Sequence, residues 1–313
     1  MNFPVFDLHC DTANELIGPG GSVSAELKSN RAHIDLDRAS QLPGYAQCFA
    51  CFTTTCSKTN PVDAFEKKMM AILKEVDKNR NMIRQAFNAS EIEKNLAEGV
   101  MSAILTIEGP AGFGFDPELL EDLYKIGFRI STLGWNEMNP LTGSHVTGGG
   151  LTDQGRAYLE EMQRLGMIVD VSHISDEGFW DIVEISDAPI IATHSNSRKI
   201  CDVSRNITDD MFCAICSSGG VVGINLFPDF LGDNATIDTA CDHILHFLEL
   251  DPEGTHISLG GDLDGVDYLP KDFSGIQDYS KLSDRLLQRG LTEEMVYRIF
   301  WSNAIEVFRR CCT

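Results

Sequence analysis

The chain has 313 residues, long for a domain of average size but within the range of an α/β barrel built on one core. Its 25 basic residues against 47 acidic ones give a formal charge of −22. That balance argues against nucleic acid or an anionic membrane as a partner, because phosphate binding needs a cationic surface. A hydrophobic fraction of 43% can supply a large core, and no apolar run approaches the roughly 18 residues of a membrane span.

In chain order, apolar, β-branched or aromatic runs bounded by turn signals occur at 3–8, 45–53, 101–107, 128–133, 167–171, 189–193, 220–227 and 256–260. Helical spacing occupies 61–87, 117–126, 152–165, 175–186, 208–217, 236–250 and 292–309. Ser175 or Asp176, Thr208 with Asp209, and Thr292 with Glu293 supply helix starts. Strands that alternate with helices pair in parallel, since each parallel neighbour needs a crossover. Eight of them favour a closed (β/α)8 TIM-type barrel, read as one domain over 1–313. An open doubly wound sheet would call for a glycine-rich phosphate loop after an early strand, and the first strand ends instead in His9-Cys10-Asp11.

The N-terminus lacks a basic segment followed by an apolar one, so a cytoplasmic location is the expectation. The ten cysteines do not form a compact disulfide framework and are expected to be mostly reduced. Cys48/Cys51 and Cys213/Cys216 have metal-knuckle spacing, but the first pair lies in a strand-like run and the second in a helix-like one. A shared zinc ribbon is not expected.

Barrel enzymes carry their chemistry at the C-terminal ends of the strands, so polar residues that end apolar runs are the candidates. His9 and Asp11 end the first run, two apart and able to face one ion. Glu108 ends the third. His173 and His194 end the fifth and sixth, and Asp262 follows the eighth, in GGDLDG. Each has an ordinary alternative: His173 bonding a loop, Glu108 capping a turn, Asp262 or Asp264 serving an Asx turn. Taken together, three histidines and three carboxylates on one face would be costly to bury unpaired, and a metal accounts for all of them.

These residues lie in the motifs Asp7-Leu-His-Cys-Asp11, Ile107-Glu-Gly109, Val169-Asp-Val-Ser-His173, Ala192-Thr-His-Ser195, Ser204-Arg-Asn206, Gly260-Gly-Asp-Leu-Asp-Gly265 and Ser302-Asn-Ala304. In this order, nearly end to end, the sequence resembles the membrane (renal) dipeptidase family of zinc peptidases, among the amidohydrolase-like barrels. The resemblance implies two zinc ions, His9 and Asp11 on one, His173 and His194 on the other, with Glu108 and a water or hydroxide bridging them. It further implies hydrolysis of free dipeptides by metal-hydroxide attack, with a D-residue accepted at the C-terminal position. Asp262 would shuttle the proton, and Arg205 would hold the substrate carboxylate. Asp264, two residues on, is expected to brace the loop or a metal ligand, with an exchange of roles with Asp262 as the alternative.

One position departs from the family. Mammalian members carry a histidine after the fourth strand, where this chain has LGWNE at 133–137 with Trp135 nearest that place. Trp135 can pack against substrate and donate one hydrogen bond but cannot act as a base, leaving carbonyl polarisation to zinc alone or to zinc with Asn136. The alternative for Trp135 is a plug at the barrel top. The C-terminus has no apolar tail, so the family's lipid anchor is not expected. The implied assembly is a homodimer. The rival functions are another amidohydrolase acting on an N-acyl amino acid or cyclic amide, a non-catalytic metal-containing binding protein, and a phosphoesterase. The last is disfavoured by the lack of basic residues beyond Arg205.

Overall fold

The computed structural model describes residues 3–17 and 25–312. Among these, eleven strands occur: β1 Val5–Cys10, β2 Tyr45–Phe52, β3 Ile83–Gln85, β4 Met101–Glu108, β5 Phe128–Thr132, β6 Thr142–Ser144, β7 Gly148–Leu151, β8 Ile168–Asp170, β9 Ile190–Ile191, β10 Val222–Ile224 and β11 Ile257–Leu259. Eight form one parallel sheet in the order β10-β11-β1-β2-β4-β5-β8-β9, and β3 pairs off the path with β4. The bridge between Ala192 and Val222 joins the two ends and closes the (β/α)8 barrel. All eight expected strands are present.

Both faces of the barrel strands are buried, as helices outside and packing inside require, so they read as continuous apolar runs. Phe6, Leu8, Ala46, Cys48, Ile104, Ile130, Ile168 and Ile191 form one cluster in the interior. The helix Asn303–Cys311 adds Ile305 and Phe308 to it. Phe308 packs 5.4 Å from Phe6, while Arg310 reaches Gly219, Arg309 reaches Glu93 and Cys312 reaches Gly166. These contacts fall at or before the starts of several strands, so this helix covers the N-terminal end of the barrel. The opposite end is left for chemistry.

Two expected helices differ in detail. The segment 61–87 is helical only over Pro61–Lys78, and Ile83–Gln85 then turns to pair with β4. The segment 292–309 is interrupted by a π-helical turn at Arg298–Ser302. Ser175, Thr208 and Thr292 each accept a backbone N–H three residues on, as the capping signals predict. Short helices at Thr12–Leu16, Ala89–Ala97 and Tyr279–Gln288 were not anticipated. The hairpin of β6 and β7 was also missed, its glycines giving no strand pattern.

Register in β1 positions the site. Phe6 pairs with Ala46 and Asp7 with Gln47, but Cys10 pairs with Phe49, so β1 uses one residue more than β2. Such a bulge reverses which face later residues meet. Phe6 and Leu8 face the interior, and so do His9 and Asp11 beyond the bulge. The cysteines of the described residues are all free, and no described helix is long and apolar enough to cross a membrane.

The seam between β9 and β10 leaves no room for side chains. A Cβ on Gly223 would lie 2.0 Å from the Thr193 carbonyl oxygen, where backbone cannot yield. Gly223→Ala should therefore lower unfolding stability by about 1–3 kcal/mol or more, measured as a shift of the urea midpoint; an unchanged midpoint would show that the seam is not tightly packed.

Candidate metal centre

At the C-terminal ends of the strands, His9, Asp11, Glu108, His173, His194 and Asp262 converge, each no more than 8% exposed. His9 Nε2 lies 3.4 Å from Asp11 Oδ2, 3.5 Å from Glu108 Oε2 and 3.7 Å from Asp262 Oδ1. The other Glu108 oxygen, Oε1, lies 3.0 Å from His173 Nε2 and 3.7 Å from His194 Nε2. The two oxygens of Glu108 thus face two different groups of ligands. Ligand atoms of His9, Glu108 and His194, and again of His9, Asp11 and Asp262, lie within 4.8 Å of one another.

The protonation of the histidines can be worked out from their partners. Thr193 Oγ1 donates to Asp170 Oδ2 at 2.5 Å and so must accept from His194 Nδ1, 2.7 Å away. His194 Nε2 is then a bare lone pair. His173 Nδ1 faces Asn136 Oδ1 at 2.8 Å, which assigns its proton there and leaves Nε2 bare as well. Those two nitrogens stand 2.9 Å apart, while His9 Nε2 is buried without any hydrogen-bond partner. Lone pairs directed at one another beside a carboxylate repel unless a cation lies between them. The donor set, imidazole nitrogens and carboxylate oxygens, fits a transition-metal ion.

The electrostatics make the same demand. Burial opposes charge on His9, yet Glu108 and Asp11 overcome it and hold the ring well above its usual pKa, so the carboxylates draw positive charge to Nε2. Burial resists ionisation of Glu108 too, but His9 and His173 lower it. Burial, with Arg205 adding repulsion, takes His173 down to about 3, and His194 is likewise well below its usual value. Asp262 is pushed up to about 7 by burial, with Asp11 and Glu108 adding and His9 and Arg205 opposing. Its Oδ2 accepts from Asn225 Nδ2 at 3.1 Å.

Left-handed backbone occurs at His173 and Asp262 of this cluster and at the neighbouring Asp264, with φ of 70°, 56° and 66°, which non-glycine residues rarely hold without compensation. Asp264 accepts from Thr12 Oγ1 at 2.6 Å and from the His33 N–H at 2.5 Å, tying the loop after β11 to the segments after β1. A Cβ on Gly265 would lie 2.3 Å from Asp262 Oδ1 and 2.6 Å from Asp11 Oδ2, so only glycine leaves these carboxylates room.

A cavity of about 230 Å³ opens onto the cluster, walled by Phe52, Trp135, Asn136, Phe227 and Phe230 together with Asp11, Glu108, His173 and Asp262. Trp135 packs 4.8 Å from Phe52 and 6.3 Å from His173. Arg205 is buried behind His194: Nη1 donates to Ser195 Oγ, Nη2 to the His194 carbonyl, and Nε has no partner. Its guanidinium lies 5.7 Å from the ring of Phe230, a cavity wall, and does not itself line the cavity. Sequence reasoning missed His145, Asn225 and Asp170, which hold the primary residues. Asp170 lay within a quoted motif, whereas His145 stands in a glycine-rich stretch with no periodic signal.

The chain is 33% identical to an uncharacterised dipeptidase of Schizosaccharomyces pombe over 229 residues, 71% of this chain and 56% of the relative's length. It is 29% identical over 264 residues to a Klebsiella pneumoniae protein from the region 5′ of pqqA, covering 80% of this chain and 97% of that one. Its fold matches that of a metallopeptidase from Rhodobacter sphaeroides, liganded with a phosphinate mimic of the dipeptide L-Ala-D-Ala, at a TM-score of 0.88 and 23% identity over 99% of this chain and 100% of the other. The family model for membrane dipeptidases matches residues 1–312, and the chain therefore belongs to the membrane dipeptidase family, peptidase family M19.

Proposed function

We infer that this chain is a two-zinc dipeptidase that hydrolyses the amide bond of free dipeptides. The observation that carries this reading is the set of unsatisfied ligand atoms: His9 Nε2 without a partner, His173 and His194 Nε2 facing each other at 2.9 Å, and Glu108 turning one oxygen to each side. His9 and Asp11 would hold one ion, His173 and His194 the other, and Glu108 both. A bound pair would supply Lewis acidity at the substrate carbonyl and make a water nucleophilic near neutral pH.

The residues of the chain do the rest. Asp262 stands at the edge of the centre, its Oδ1 3.7 Å from His9 Nε2, where burial raises its affinity for a proton, as a shuttle needs. Asn225 tethers its Oδ2 and leaves Oδ1 toward His9. In that position it can take a proton from the attacking water and release it to the leaving amine. Arg205 places a buried positive charge behind the Phe230 wall, where it would attract a free C-terminal carboxylate in the cavity through its charge rather than by direct contact. Trp135 and Phe52 form an apolar wall for a substrate side chain. At about 230 Å³ the cavity is smaller than those that take drug-sized ligands, as a dipeptide requires. The L-Ala-D-Ala mimic bound by the Rhodobacter sphaeroides enzyme supports acceptance of a D-residue at the C-terminal position.

Metal analysis with a dipeptide screen tests the core of this reading. About two zinc per chain are expected in active protein, with chelation abolishing activity, zinc restoring it, and the thermal midpoint falling on removal because the ions bind the folded state. Fewer than two in fully active samples would overturn the two-metal assignment. Asp262→Asn should reduce kcat by about 10²-fold or more with zinc content retained; a loss below threefold would remove Asp262 from the proton path. Arg205→Met should lower kcat/KM for free dipeptides by about tenfold through the lost charge while sparing their C-terminal amides. Equal losses on both substrates would refute the carboxylate role.

A further inference from the structure

We propose that Asn136 donates its amide N–H to the scissile carbonyl oxygen of the substrate, and that His145 is the positioning residue that turns the amide that way. This rests on the dipeptidase reading above.

His145 lies in the loop between β6 and β7, and that hairpin is fastened to the metal centre. The His145 backbone N–H donates to the His173 carbonyl at 2.8 Å, Ser144 bridges to Ile174, and Ser144 Oγ donates to the Asn136 carbonyl at 2.9 Å. The His145 ring spans two loops, with Nε2 2.9 Å from Asn136 Oδ1 and Nδ1 3.0 Å from Ser204 Oγ. Asn136 Oδ1 therefore meets ring nitrogens of two histidines, since His173 Nδ1 stands 2.8 Å away on another side.

The assignment of atoms follows from the ligand set. His173 must keep Nε2 bare to act as a ligand, so its proton is on Nδ1 and the Asn136 atom it meets is an acceptor. His145 meets the same oxygen and must donate from Nε2, leaving Nδ1 to accept from Ser204. Two N–H groups use both lone pairs of the Asn136 oxygen. Its Nδ2 is fixed on the opposite side of the amide, and among the described residues it has no hydrogen-bond partner. Asn136 is a wall of the cavity shared with Glu108, His173 and Asp262.

The acidic side chains around that cavity, Asp11, Glu108, Asp262 and Asp267, only accept hydrogen bonds when ionised, Asn14 Nδ2 is engaged with Asp11 Oδ1, and the other side-chain donor of the wall, the Trp135 indole, belongs to a ring packed on Phe52 rather than hydrogen-bonded to a ligand histidine. A peptide carbonyl gains negative charge on oxygen as it is attacked and needs a donor already in place. An amide held at its oxygen by two rings cannot rotate to follow the substrate. It is therefore preorganised, and loss of one such donor costs about 10²–10³-fold in kcat.

Asn136→Asp keeps an acceptor for both histidines and removes the donor; Asn136→Ala removes both. With zinc-loaded protein, zinc content should be unchanged in Asn136→Asp, kcat for a dipeptide should fall about 100-fold with KM within about threefold, and affinity for a phosphinate dipeptide mimic should fall by a similar factor. His145→Ala should lower kcat about tenfold at full zinc occupancy, and His145→Gln, whose amide can still donate, should recover part of it. A kcat for Asn136→Asp within threefold of the parent, or losses in both Asn136 variants that track loss of zinc, would overturn the proposal. If the parent with two zinc cleaves no dipeptide, the substrate reading fails first and this inference falls with it.

Discussion

The structure depends on a surplus of negative charge and unshared lone pairs, buried at one end of the barrel. Three carboxylates and three imidazoles lie within a few ångströms of one another, and they neutralise each other only in part. Burying such groups without compensation costs several kcal/mol each. Everything nearby is arranged to hold these atoms in place rather than to satisfy them. Asp170 acts through Thr193 on His194, Asn136 on His173, Asn225 on Asp262, and Thr12 with His33 on Asp264. For His194, His173 and Asp262 the supporting bond takes one polar atom and leaves the other toward the centre, whereas both oxygens of Asp264 are engaged and serve to tie its loop.

The rest of the barrel makes this arrangement affordable. The interior is filled by Phe6, Leu8, Ile104, Ile130, Ile168 and Ile191, and the helix Asn303–Cys311 covers the far end. That apolar mass offsets the unfavourable burial at the mouth and fixes the strand ends as a rigid frame. Preorganisation of this kind is what electrostatic catalysis requires. The aromatic walls, Phe52 with Trp135 and Phe227 with Phe230, extend the same exclusion of water outward.

Much of this was legible in the sequence because a barrel maps strand ends onto one face. Glu108, His173 and His194 each follow an apolar run, and once eight such runs are counted their convergence is nearly forced. The supporting residues were less legible for a physical reason. Asn225 and Asp170 sit among strand residues and carry no pattern that separates a tether from a packed polar group. His145 lies in GSHVTGGG, where the glycines that permit the hairpin erase strand periodicity. Trp135 and Asn136 were found as neighbours of a family position, but the contact of Asn136 with two histidine rings exists only in three dimensions. Arg205 was expected from a motif, and its position behind His194 could not be read from spacing.

Several deviations from regular backbone fall where the chemistry is. β1 is regular until the bulge that brings His9 and Asp11 to the inner face. His173, Asp262 and Asp264 take left-handed backbone, and Gly265 gives up a side chain so that two carboxylates can approach. None of these features helps the barrel fold, and each costs something in local preference. A sequence selected for stability alone would have a straight β1 and ordinary residues in the loop after β11. Their presence together follows from a requirement on ligand direction. A ring nitrogen or carboxylate oxygen must point at one spot within a few tenths of an ångström, and the regular pleat of a strand alternates too coarsely to deliver six of them there.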